Sequence, residues 1–80
     1  PVMKEHDFEL RFRLPRGVNP QDLAERLCDD GCRDALVGRA HDDEIALQFC
    51  RAAACSGEAM RSALQDVIRV EPKARLLVSR

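Results

Sequence analysis

From Asp7 to Leu14 apolar and polar residues alternate without a break, with Phe8, Leu10, Phe12 and Leu14 on one side and Asp7, Glu9, Arg11 and Arg13 on the other. Strict period two over that length predicts a half-buried strand beginning near His6 and stopped by Pro15, with residues 1–5 fraying ahead of it. Asn19 followed by Pro20 opens a helix, because Asn caps free amides and Pro presets the backbone of the first turn. Leu23, Ala24, Leu27 and Cys28 then recur at helical spacing, Gln21, Asp22, Glu25 and Arg26 take the wet face, and Gly31 ends the helix. Residues 35–40 predict a second strand, weakened by Gly38 and therefore placed at an edge. His41, Asp42 and Asp43 make a turn, and residues 44–52 return with Ile45, Leu47 and Phe49 on one face and Ala46, Gln48 and Cys50 on the other. Ser56 is placed to cap a second helix whose Met60, Ala63, Leu64, Val67 and Ile68 form an apolar stripe. Pro72 bars continuation, and residues 73–79 finish as a strand with Ala74, Leu76 and Val78 facing one way and Lys73, Arg75 and Leu77 the other.

The order strand, helix, strand, strand, helix, strand predicts an α+β fold, the ferredoxin-like βαββαβ sandwich. Two right-handed crossovers bring both helices onto one face of a four-stranded antiparallel sheet whose first and third strands are central. Residues 1–80 make a single domain with no repeat or linker. At that length one apolar core supplies only about 3–5 kcal/mol of net stability, so a second copy or a partner would help.

Composition narrows the function. Charged residues are 34 % of the chain, yet the net charge is −1, so no overall field draws it to nucleic acid or an anionic membrane. No apolar run is long enough to span a bilayer and no secretory signal opens the sequence, which makes cytoplasmic the expected location. Arginine outnumbers lysine eleven to two, an excess that GC-rich coding explains as well as chemistry does.

On this fold the sheet face away from the helices carries Glu9, Arg11, Arg13, Gln48, Lys73, Arg75 and Leu77, a mildly basic surface. Base stacking on that face requires aromatics on the central strands, and Phe8, Phe12 and Phe49 all point inward, so direct nucleic-acid binding is not expected. The face reads instead as a solvated surface or a sheet-to-sheet protein contact; a contact would use this face or an unpaired edge strand, with Arg11, Arg13, Gln48 and Arg75 as its polar contributors. Cys28, Cys32, Cys50 and Cys55 give the second candidate. Their C-x3-C and C-x4-C spacing lacks the tight knuckle of common zinc sites, but the topology brings the two turns they bracket to one end of the sheet. A structural zinc or a redox-linked pair there is the alternative to unlinked thiols. His6, and His41 beside Asp42 and Asp43, complete the candidate ligands and bases. Ser56 and Ser62 read as a cap and a helix-surface residue, and no nucleophile, base and orienting group converge, so no enzyme and no cofactor are expected.

The runs F-E-L-R-F-R-L-P from Phe8, G-C-R-D-A-L-V-G from Gly31, I-A-L-Q-F-C-R-A-A from Ile45, A-L-Q-D-V-I-R from Ala63 and A-R-L-L from Ala74 resemble a family of small, poorly characterised bacterial proteins. In many of those the second run is closer to G-C-D-D-A-L-V-G and a helix-turn-helix segment follows the last strand. The likeness covers residues 8–77 and rests on core and turn positions. It implies a ferredoxin-like dimerisation or sensing module in a transcriptional regulator or mobile element. Here Arg33 stands where the resemblance would place an acidic residue, of the four cysteines only Cys32 belongs to the shared run, and the sequence reaches Arg80 without DNA-reading helices. The expectation is thus a non-catalytic interaction module that binds itself as a homodimer or another protein, with no membrane attachment.

Overall fold

The computed structural model describes residues 3–41 and 43–80. Its elements are β1 (Lys4–Arg13), α1 (Pro20–Asp29), β2 (Ala35–His41), β3 (Glu44–Ala53), α2 (Ser56–Val70) and β4 (Arg75–Ser79). The strands form one four-stranded sheet in the order β2-β3-β1-β4, and every pairing is antiparallel. The architecture is α+β, with β3 and β1 central as the alternation predicts.

β1 and β3 pair without interruption from Lys4 opposite Ala53 to Arg13 opposite Glu44. Lys4 and Glu5, expected to fray, are therefore held in the sheet. Because facing residues share a side, Phe8, Leu10 and Phe12 lie with Phe49, Leu47 and Ile45 in one inward layer, and Phe8 stacks on Phe49 at a centroid distance of 5.3 Å. Leu23 and Leu27 of α1 and Ala59, Ala63 and Val67 of α2 close over that layer, all with no exposed surface. Alanine at successive turns of α2 lets the helix sit close to the sheet.

Helix α1 begins as its sequence dictates: the Gln21 amide donates to Asn19 Oδ1 at 2.8 Å, with Pro20 next to the cap. It ends in a Schellman turn. Gly31 takes φ +98°, its amide donates to the Cys28 carbonyl at 3.1 Å, and the Cys32 amide donates to the Leu27 carbonyl at 2.9 Å. This lays Cys32 into the core beside Leu27, 5 % exposed, while Cys28, placed by its spacing on the apolar stripe, is exposed. Helix α2 is capped by Cys55 and not by Ser56: Cys55 is extended and makes no side-chain cap bond, and Ser56 is already the first helical residue.

Both edge strands carry a register shift. On β2 it falls between Val37 and Arg39, leaving Gly38 as the extra residue and turning Arg39 opposite Ala46. On β4 it falls between the partners of Arg11 and Phe12, so that Leu76 faces Phe12 while Val78 faces Arg11. Simple alternation had put Val78 with the inward set. The shift moves it to the open side, and Lys73 falls before the strand altogether. Asp42, one of the predicted turn residues, lies outside the described residues.

Candidate functional site

The sheet face opposite the helices is ordered in rows by the ladder. Running along β1 its residues are Glu5, Asp7, Glu9, Arg11 and Arg13; β3 contributes Ala52, Cys50, Gln48, Ala46 and Glu44 opposite them. Leu36 extends the row of Gln48 and Glu9, Arg39 that of Ala46 and Arg11, and His41 that of Glu44 and Arg13. On the other edge Val78 stands opposite Arg11, Arg75 opposite Arg13, and the Arg80 backbone exchanges two 2.8 Å hydrogen bonds with Glu9.

Charge is therefore uneven along the strand axis. Glu5, Asp7 and Glu9 lie toward one end, with Arg80 opposite Glu9, and Arg11, Arg13, Arg39 and Arg75 lie toward the other, where Glu44 and Asp43 accompany Arg13. The predicted contributors Arg11, Arg13, Gln48 and Arg75 are all on this face, and their surroundings differ. Arg11 is half-buried and its Nε donates to Glu9 at 3.0 Å; Arg13 is exposed, 3.7 Å from Asp43 and 3.5 Å from Glu44; Gln48 and Arg75 are exposed. Arg75 directly opposes Arg13, a like-charge pair whose repulsion Glu44 and Asp43 beside Arg13 offset. Arg39 and Leu36 were not picked out from the sequence. Gly38 was the available signal, since a glycine inside an edge strand marks a bulge and a bulge inverts the alternation after it. Leu36, 68 % exposed, is the most exposed large apolar side chain among the described residues. Ala46 shows the reverse: it lies on the open face between Arg11 and Arg39 yet is buried, at the floor of a shallow concavity of about 490 Å³ lined by those arginines, Ala40, His41 and Glu44.

The four cysteines are unlinked, and the structure does not gather them. Among the described residues no three His, Cys, Asp or Glu side chains are grouped to hold a metal ion. Cys32 is in the core, Cys50 lies on the open face with its thiol 3.5 Å from Glu5, and Cys28 and Cys55 are exposed at helix ends. Desolvation first, then the adjacent Asp34 carboxylate, pushes the Cys32 thiol up to about 11. Hydrogen bonding to Asp7, with Glu5 adding to it, pushes Cys50 up to about 11 as well. Both are held as thiols at neutral pH, where the thiolate is the reactive form. A disulfide-exchange reagent at neutral pH is thus expected to label Cys28 and Cys55 first, Cys50 more slowly, and Cys32 only on unfolding; mass mapping of the labelled peptides reads the order. Rapid labelling of native Cys32 would contradict it. His6 is occupied by the Ala53 carbonyl at 3.2 Å.

The most highly connected polar group is one the sequence reading passed over. Arg51 on β3 uses all five guanidinium N–H groups: two meet Asp34 at 2.8 Å each, two meet Asp66 at 2.9 Å and Ser62 at 3.1 Å, and one points at the Cys32 sulfur at 3.3 Å. The group also lies 5.5 Å over the Phe49 ring. Asp66 continues to Arg69 at 3.1 Å, which reaches Asp30 at the end of α1 at 2.6 Å. Ser62, expected on the helix surface, belongs to this clasp. Hydrogen bonding to Arg51 holds the Asp34 carboxyl below its usual range, while Asp34 raises the Arg51 guanidinium further. Through Asp34, Ser62 and Asp66 the clasp ties β3 to the entry of β2 and to α2.

The run Gly31 to Gly38 acquires a physical reading from these contacts. Gly31 supplies the positive φ, Cys32 the apolar contact, Asp34 the anchor of Arg51, and Gly38 the bulge residue. Comparisons with protein-family models, curated proteins and solved structures gave no match to this chain.

Proposed function

We propose that this domain is a non-catalytic protein-interaction module, ferredoxin-like in fold, that works through its open sheet face. The fold reading is supported by the βαββαβ order and by β1 and β3 lying in the middle of the sheet. The functional reading is carried by one observation: on the face that no helix covers, carboxylates predominate at one end and arginines at the other, although Glu9 pairs with Arg11 and Glu44 with Arg13. An ordinary solvated face gains from mixing the signs, because neighbouring opposite charges then neutralise one another. The imbalance gives orientation as well as attraction toward a surface with the opposite arrangement.

The resemblance described above places such a module in a bacterial transcriptional regulator or mobile element, acting in the cytoplasm. No helix among the described residues is long and apolar enough to cross a membrane.

The test is charge reversal. Arg11→Glu with Arg13→Glu is expected to abolish association of the domain with itself or its partner. It should leave the thermal unfolding midpoint within a few degrees, since exposed pairs are worth only about 0–1 kcal/mol. A reversed variant that associates as well as the parent would remove this face from the account.

A further inference from the structure

Granting that the open face is the working surface, we propose that its occupant is a second copy of this chain, packed face to face with the strand direction reversed.

The charge arrangement selects this partner. Two identical faces can be pressed together symmetrically only about a two-fold axis lying in the plane between them. If that axis ran along the strands, acidic end would meet acidic end. If it runs across the strands, through the row of Leu36, Gln48 and Glu9, the rows on either side exchange: Asp7 of one copy faces Arg11 of the other, and Glu5 faces Arg13. Both contacts occur twice by symmetry. Leu36 then meets its own copy at the axis, which removes the most exposed large apolar side chain of the described residues from water, and Glu9 meets Glu9 there beside the Arg80 of each copy. Arg75 and Arg13, side by side in one copy, receive the partner's acidic end. Aligned sheets pack about 10 Å apart, a gap that an arginine and a carboxylate side chain together span.

Size sets the strength. At about 3.3 Å per residue and about 4.8 Å between strands, the strands of β1 to β4 offer roughly 500 Å² of projected sheet per copy. Two copies reach roughly 1,000 Å², the lower bound for a specific interface. The dimer is therefore weak and reversible, with a Kd in the micromolar range, and added salt loosens it because its polar contacts are exposed ion pairs.

Two complementary variants test the geometry in sedimentation equilibrium under reducing conditions. Arg11→Glu with Arg13→Glu makes the face acidic at both ends, and Glu5→Arg with Asp7→Arg makes it basic at both ends. Each alone is expected to self-associate at least tenfold more weakly than the parent, whose own association falls with salt. Mixed in equal amounts, the two variants recover the parent's association constant to within about threefold, and native mass spectrometry identifies the product as one copy of each. Circular dichroism of each variant confirms that it is folded. A parent that stays monomeric at millimolar concentration in low salt overturns the second-copy proposal. If the same charge reversals still abolish capture of another protein, the interaction-face reading survives that loss. A parent that dimerises while both variants do so equally well overturns the proposal and the face together, and a mixture that fails to recover association overturns the charge pairing between copies on which the proposal rests.

Discussion

Arg51→Ala is expected to lower the unfolding free energy by about 2–3 kcal/mol, the largest loss from any polar substitution in the domain. Removing the guanidinium takes from Asp34 its two parallel charged bonds and leaves Asp66 with Arg69 alone, and breaking one partner out of a buried pair costs about 3–5 kcal/mol. The lower figure applies because the Arg51 side chain is still 16 % exposed and those of Asp34 and Asp66 are 28 % and 22 % exposed. Arg51→Lys should recover only part of the loss, since an ammonium cannot hold Asp34 with two parallel bonds while also reaching Asp66 and Ser62. Urea unfolding at neutral pH measures both. The pH dependence has a definite sign. The Asp34 carboxyl sits below its usual range in the fold, so its contribution is complete above the ordinary Asp pKa of about 3.9 and disappears as the pH falls through the lowered folded value. Asp34→Asn therefore destabilises at neutral pH, and its difference from the parent shrinks in acid. Equal deficits at both pH values would mean that the charge of Asp34 is irrelevant to the clasp.

Phe12→Ala is expected to leave little native protein at 25 °C. Phe12 has no exposed surface, lies in the innermost layer opposite Ile45 and Leu76, and is the largest fully buried side chain of the core. Truncating such a phenylalanine costs about 3–5 kcal/mol through lost transfer energy and the cavity left behind. That is as much as a core of this size supplies in total. Thermal unfolding followed by far-UV circular dichroism should show a broad, early transition or none. Phe12→Leu keeps most of the volume and should retain a cooperative transition at a lower midpoint. A cooperative transition for Phe12→Ala near the parent's midpoint would place the stability of the domain outside this layer.

What the sequence revealed follows from the range of the interactions. β1 and β3 alternate strictly because each has one face in the core, so their register and inward residues were legible, including the placing of Cys50 on the open side. The start of α1 was legible because Asn19 and Pro20 act on adjacent amides, and its end because Gly31 is the residue that tolerates the left-handed turn. The edge strands were less so. A bulge inverts the alternation, and the one on β4 has no glycine to announce it, which is why Val78 was assigned to the wrong side. Cys28 followed the helical spacing but lies where the last turn rotates out of the core. Arg51 was invisible for a different reason. Its partners stand at Cys32, Asp34, Ser62 and Asp66, on segments that meet only in the fold, and an arginine among eleven carries no mark of which one will be enclosed.

The charge-segregated face was half legible. Glu9, Arg11 and Arg13 were assigned to it, but reading it as mildly basic left out Glu5, because the strand was expected to start later than it does, and Asp7, which the alternation already put on that side. With Glu5 and Asp7 included, the surface changes from a basic patch into one that carries both signs.

The central claim, that the open face is where this domain meets its partner, is tested most directly by amide chemical-shift mapping of the isotope-labelled domain from micromolar to millimolar concentration at low salt. The account predicts concentration-dependent shifts gathered on Asp7, Glu9, Arg11, Leu36, Arg39 and Gln48, reversed by salt, with the amides of α1 and α2 unmoved. Shifts confined to the helical layer, or a spectrum unchanged at every concentration together with one unchanged on adding a captured partner, would contradict it.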